Sequence, residues 1–183
     1  MEEPFLPFLS EIAVGEHIAY RKLLAARLSL LKKSFPKRQS LGTEDILATR
    51  LFGAEREMYP VAAEIVLHDV FFSSFSKKKG KTPPALRRYS SDAAFRYALL
   101  TQAREGREGF LSVYIDRRGD ARAELVLPPD FRLTHSPRLA VDLSEHAYFY
   151  DFGFDKEKYL EAALAMLDLS KLVTEKHTPS PPS

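Results

Sequence analysis

The sequence predicts an α+β fold: an N-terminal helical hairpin lobe, then a mixed lobe with a small three-stranded antiparallel sheet flanked by helices. Three observations carry this. Apolar residues recur at helical spacing through most of the first hundred positions. After Gly106 the period changes to two. Between these regions lies SKKKGKTPPALRR, 76 to 88, whose lysines, glycine and prolines break any regular element. The expected division is 1–76 for the helical lobe, 77–90 for the loop, 91–174 for the mixed lobe and 175–183 for a disordered tail.

Residues 10–34 read as a long helix capped by Ser10. Ile12, Leu23, Leu24, Leu28 and Leu31 supply its expected apolar face, and Pro36 follows its end. A second helix is expected over 43–54, with Thr43 as cap and Ile46, Leu51 and Phe52 inward. The third, from Tyr59 to Ser74, is apolar nearly all round, which implies burial; Pro60 is tolerated in its first turn. A fourth covers 91–104. In FLSVYIDRRGDARAELVL the RRGD turn separates two extended runs, so a hairpin is expected. LAVDL, 139–143, is a third short strand. A last helix spans roughly 155–173, with Tyr159, Ala162, Ala163, Met166, Leu167 and Leu169 facing the core.

Composition narrows the function. With 45% hydrophobic and 28% charged residues, most of the 183-residue chain should fold. A net charge of +2 gives no argument for nucleic acid. The basic runs at 32–38, 77–81 and 87–88 are either solvated loops or a rim that concentrates a small anion. Without cysteine, disulfides, thiolate nucleophiles and iron–sulfur clusters are excluded, so any metal must sit on imidazole, carboxylate or water. MEEPFLPFLSE lacks the basic and apolar regions of a signal peptide. No run approaches the roughly 20 apolar residues of a membrane span. A cytoplasmic location fits.

Five histidines are present. His177 lies in the tail, and His135 in a loop. His68 sits in the most apolar helix, one turn after Glu64. It is either a neutral buried imidazole bonded to that carboxylate or a metal ligand with Glu64 behind it. Asp142 and His146 are four residues apart, a spacing that lets both face one point on a helix; a solvated helix could hold the same pair. With His68 and His17 they make a three-histidine, one-aspartate set suited to a metal such as iron or manganese.

AVDLSEHAYFY, 140–150, resembles the D-x-W-E-H-A-Y-Y segment of the iron/manganese superoxide dismutase family. AAEIVLHDVFF, 62–72, is similar to that family's iron-type A-A-Q-x-x-N-H-x-x-x-W. SEIAVGEH, 10–17, resembles its first-ligand helix, and Gly109–Phe110 its G-W step before the sheet. The likeness covers roughly residues 5–173. It implies one iron or manganese ion per chain on His17, His68, Asp142 and His146, with superoxide as substrate. It also implies a homodimer through the Glu145 region, no nucleic acid and no membrane. Tyr148 would match the tyrosine near the site.

A second register pairs HIAY, 17–20, with the family's H-x-x-Y. Ile12 then takes the ligand position and Tyr20 becomes the gateway tyrosine. In the first register Arg21 and Ala25 stand where the family's gateway histidine and tyrosine belong. Glu64 replaces the glutamine that hydrogen-bonds solvent on the metal. Glu64 and Tyr20 are thus the candidate catalytic residues. A carboxylate only accepts where an amide donates, which would shift the redox potential, or it could swing in as a ligand. Ser144 replaces a tryptophan, and Phe72, Phe110 and Ser112 also stand where tryptophan is frequent. The implied activity is dismutation of superoxide to dioxygen and hydrogen peroxide. The alternative is a dismutase-like fold kept for structure, interaction or altered metal binding.

Overall fold

A computed structural model describes residues 4–76 and 80–173; His177 lies outside them. Six helices and three strands follow in order: α1 (Glu11–Lys33), α2 (Thr43–Ala48), α3 (Met58–Ser73), α4 (Asp92–Ala103), β1 (Phe110–Ile115), β2 (Ala121–Val126), β3 (Leu139–Asp142), α5 (Glu145–Phe152) and α6 (Lys156–Met166). The architecture is the expected one, an N-terminal helical region followed by a mixed lobe with a three-stranded antiparallel sheet.

Ser10 caps α1, its hydroxyl accepting from the Ala13 amide at 3.2 Å. The buried face of α1 is Ala13, Val14, His17, Leu24 and Leu28. Ile12 and Leu23, expected inward, are 58% and 65% exposed. The helix is apolar on two sides, and periodicity does not say which side meets the core. α2 is shorter than expected. The chain turns extended at Thr49 and reaches positive φ at Gly53, where glycine bears no penalty. Phe52 is consequently 55% exposed, beneath the Arg50 guanidinium.

α3 joins two apolar clusters. Met58, Val61, Ala62 and Ile65 pack with Leu24, Leu28 and Ile46. Leu67, Phe71 and Phe72 pack instead with the sheet, α4 and α6. Ala85 and Leu86, just after the prolines, also join this core, buried in a 3-10 turn where a coreless loop was expected. α6 stops at Met166 rather than near 173. Leu167 leaves it to bridge Phe75, and the Asp168 amide donates to the Ser74 carbonyl at 2.9 Å.

The strand order is β2-β1-β3, antiparallel throughout. Phe110 faces Asp142 in the β1–β3 register. Gly109 enters β1 at φ +87°, and a Cβ there would collide with the Val126 carbonyl, so only glycine fits the entry. Ser74 ties α3 to the sheet: its hydroxyl donates to the Val70 carbonyl at 2.7 Å and accepts from the Ala140 amide at 2.8 Å. No helix among the described residues is long and apolar enough to cross a membrane.

Candidate metal centre

Four side chains from three regions meet where α1, α3 and the end of β3 converge. His17 comes from α1, His68 from α3, Asp142 from the last position of β3 and His146 from the first turn of α5. One ligating atom of each lies within 4.8 Å of the others. Asp142 Oδ2 is the hub: His146 Nε2 is 3.0 Å away, His17 Nε2 3.1 Å and His68 Nε2 3.6 Å. The first three residues are buried, and the His146 side chain is 30% exposed, so the centre opens on that side.

The local chain aims each group. His68 Nδ1 donates to the Glu64 backbone carbonyl at 2.7 Å, which leaves its Nε2 lone pair pointing inward. The partner is therefore the backbone, not the Glu64 carboxylate expected one turn earlier. Asp142 Oδ1 accepts from the Ser144 amide at 2.9 Å, freeing Oδ2 for the cluster. Tyr159, buried in α6, donates to the Asp142 carbonyl at 2.8 Å. Next to that strand end, Lys156 Nζ donates to the Leu143, Arg107 and Gly106 carbonyls. Sequence reasoning assigned Tyr159 to the core without its hydrogen bond; a buried phenol that needs a partner is the signal that could have found it. Tyr148, expected near the site, is buried and stacks on Tyr159 at 5.3 Å.

Apolar rings wall the cluster. Phe71 stacks on His17 at 4.8 Å, Phe72 meets the same ring edge-on at 5.3 Å, and Phe110 meets His68 edge-on at 5.0 Å. Burial depresses the His68 pKa to about 4, helped by His17 against the pull of Asp142. Burial pushes the Asp142 carboxyl upward, but His146 and His17 outweigh it and hold it well below the ordinary range. Burial opposes a charge on His146, and the Asp142 carboxylate overcomes it, so that pKa is raised.

This donor set fits a cation. His68 Nε2 and His146 Nε2 are buried atoms with no hydrogen-bond partner, although both face the carboxylate. Such orphans are costly unless something binds them. Ligand atoms held at about 2.0–2.2 Å stand up to about 4.4 Å apart across an ion, close to the spread seen here. Three imidazoles and one carboxylate can hold a single transition-metal ion.

Tyr20 and Glu64 border the cluster. The Tyr20 hydroxyl donates to Glu64 Oε1 at 2.9 Å, and its ring lies 4.3 Å from that of His146. Burial and the Glu64 charge push the Tyr20 pKa above its usual value. Burial raises the Glu64 pKa, with Tyr20 opposing. Arg27, absent from the sequence reading, acts electrostatically on both. Glu64 is not among the four converging residues, and neither is Ile12, which is exposed. His17 and Tyr20 both stand at the centre, though the two registers offered them as alternatives. Arg21 makes a forked pair with Asp69 of α3, at 2.9 and 2.7 Å.

Other sequence candidates lie elsewhere. His135 stacks on Tyr114 at 3.9 Å and its Nδ1 meets the Thr134 hydroxyl. Arg87 and Arg88 pair with Asp120, and Arg38 with Glu55, so these described members of the basic runs are tied within loops. Ser144 precedes α5, and its hydroxyl accepts from the Gly109 amide at 3.1 Å.

The family model for the C-terminal domain of iron/manganese superoxide dismutases matches residues 87–175, which include Asp142 and His146. No curated protein matches the chain. The matched domain and the three-histidine, one-aspartate cluster, whose last two members lie within it, together support a divergent member of the iron/manganese superoxide dismutase family.

Proposed function

We propose that the protein holds one iron or manganese ion on His17, His68, Asp142 and His146 and dismutes superoxide to dioxygen and hydrogen peroxide. The observation that carries this reading is the pair of orphaned imidazole nitrogens, of His68 and His146, facing Oδ2 of Asp142, a residue of the matched dismutase domain. The ion would supply the one-electron chemistry, accepting an electron from one superoxide and giving it to the next.

The chain's own residues support the rest. Asp142 is the one negative ligand in the set and offsets part of the ion's charge. His68, neutral because it is buried, gives a lone pair without adding charge. Phe71, Phe72 and Phe110 keep bulk water from the buried side. The substrate would enter beside His146, the one partly exposed member of the cluster. Two protons are consumed for each peroxide formed. The Tyr20 phenol beside the ligands is made a weaker acid and its proton is held by Glu64, so both would come from solvent. Tyr20 orients Glu64 through the 2.9 Å bond.

The second reading is a dismutase-like fold that serves structure, interaction or altered metal binding. The Tyr20–Glu64 bond favours it, because the phenol's single proton is committed to a carboxylate and a second negative group stands beside the site. A homodimer is part of the proposal: Glu145 is exposed in the first turn of α5, with Phe149 exposed one turn on.

Elemental analysis followed by a superoxide assay tests this. The first reading expects about one iron or manganese per chain and a rate lost in His146→Ala. Stoichiometric metal without that rate establishes the second reading, and sedimentation tests the dimer.

A further inference from the structure

Lys156 is the first residue of α6 and has no part in the sequence reading. It is half-buried, and its ammonium donates to three backbone carbonyls: Gly106 at 3.1 Å, Arg107 at 2.8 Å and Leu143 at 2.5 Å. An ammonium carries three N–H donors, so three carbonyls use all of them. None is left for an anion arriving from solvent, which sets Lys156 apart from a steering charge.

The three carbonyls bracket one ligand. Leu143 directly follows Asp142, and both are fully buried. One turn along α6, the Tyr159 hydroxyl donates to the Asp142 carbonyl at 2.8 Å. The first turn of α6 thus grips two consecutive carbonyls at the strand end. Gly106 and Arg107 belong to the connection from α4 to β1, which packs against the same place. A Cβ on Gly106 would lie 2.5 Å from Leu143 Cδ1. Further along that connection, the Gly109 carbonyl accepts from the Leu143 amide at 2.8 Å. Lys156 therefore joins the two segments on either side of the aspartate. The Ser144 amide already fixes one oxygen of that carboxylate at 2.9 Å. With the backbone at 142–144 held as well, the direction of Oδ2 is set. Without Lys156, the part-buried carbonyls of Gly106 and Leu143 lose their donor and the strand end is released.

We propose that Lys156 is a positioning residue for the metal centre: by tying the Leu143 carbonyl to the 106–107 connection, it fixes the direction of the Asp142 carboxylate and so the tightness and geometry of ion binding. The inference rests on the proposed ion at Asp142, not on what that ion does to superoxide. Lys156 acts through the peptide backbone.

The test uses the full chain, stripped of metal and titrated with manganese alone. K156M removes all three donors and keeps the aliphatic stem, whereas K156R keeps the charge and the donors. L99A, which opens a cavity in α4, a helix that supplies no ligand, is the stability control. Manganese should bind K156M at least about tenfold more weakly than the wild type, as is usual when a group that orients ligands is lost. The electron paramagnetic resonance spectrum of the bound manganese should change in K156M, and K156R should restore both. L99A should melt at a lower temperature with affinity and spectrum unchanged; a merely structural Lys156 would behave the same way. K156Q, with two neutral donors, should bind at least about threefold more weakly, and it carries the test should K156M fold poorly. Wild-type affinity and spectrum in these variants overturn the inference. So does an equal loss of affinity in L99A, since binding would then follow stability. A wild type that binds no manganese overturns it together with the proposed ion. One that binds manganese without dismuting superoxide ends the proposed activity alone, and the affinity ratio still decides the role of Lys156.

Discussion

The Tyr20 hydroxyl donates its proton to Glu64 Oε1 across 2.9 Å, joining α1 to α3 beside the histidine–aspartate cluster. A carboxylate in that place accepts and does not donate, so the pair spends its one proton on itself.

Glu64→Gln keeps the acceptor for Tyr20 and adds two N–H donors at nearly unchanged shape. Metal content should stay the same, while superoxide removal rises about tenfold or more, within the range a positioned donor supplies. Stopped-flow decay of superoxide, normalised to bound metal, checks this. An unchanged rate would mean that Glu64 does not limit turnover.

Bound metal should stabilise the fold. The four donors come from separate segments, so an unfolded chain offers no comparable site. At free metal about a hundred times Kd, binding adds about 2.7 kcal/mol. For a chain of this size that raises Tm by about 5–10 °C. Scanning calorimetry with and without manganese measures the shift, and His68→Ala should abolish it whatever its own effect on the baseline Tm.

Ser74→Ala removes a hydroxyl that satisfies the Ala140 amide in the buried gap between α3 and β3. The stranded N–H costs about 1–3 kcal/mol. Urea unfolding should report that loss. Metal affinity should fall with it, because Ala140 lies two residues before Asp142 on the same strand.

Acid sensitivity has a source away from the site. Asp116 accepts from the Asp120 and Arg118 amides and from Arg122, which together hold its pKa at about 2. Its unfolded value is near 3.8. Between those two values the unfolded chain binds more protons, so the stability Asp116 contributes is complete above the upper one and is lost as pH falls toward the lower. The urea midpoint of the wild type should drop over this interval, and Asp116→Asn should start lower at neutral pH and drop less.

Much of the site was legible because its signals are local. The four-residue step from Asp142 to His146 and the histidine inside a nearly all-apolar helix each occupy one short segment. The hairpin was legible from its alternation and its RRGD turn. What escaped depends on pairs far apart in the chain. Nothing near Arg21 names Asp69 as its partner, and nothing near Ser74 names the Ala140 amide. His68 bonds a backbone carbonyl, which every residue carries and no sequence displays. Ile12 and Leu23 were placed on the wrong face because α1 is apolar on both. Phe52 was lost to a turn set by Gly53. The joint presence of His17 and Tyr20 at the cluster is a three-dimensional fact: α1 turns both toward α3.

Asp142 is the final residue of β3, directly across from Phe110. Side chains alternate between the faces of a strand, so a slip of one place between β1 and β3 would swing the carboxylate away and deliver Leu143 in its stead. The strand would still pair, yet the imidazoles would lose the anion around which they gather. Insertions in the 127–138 connection can be absorbed at the surface, whereas a shifted β1–β3 register would yield a folded molecule unable to hold an ion there.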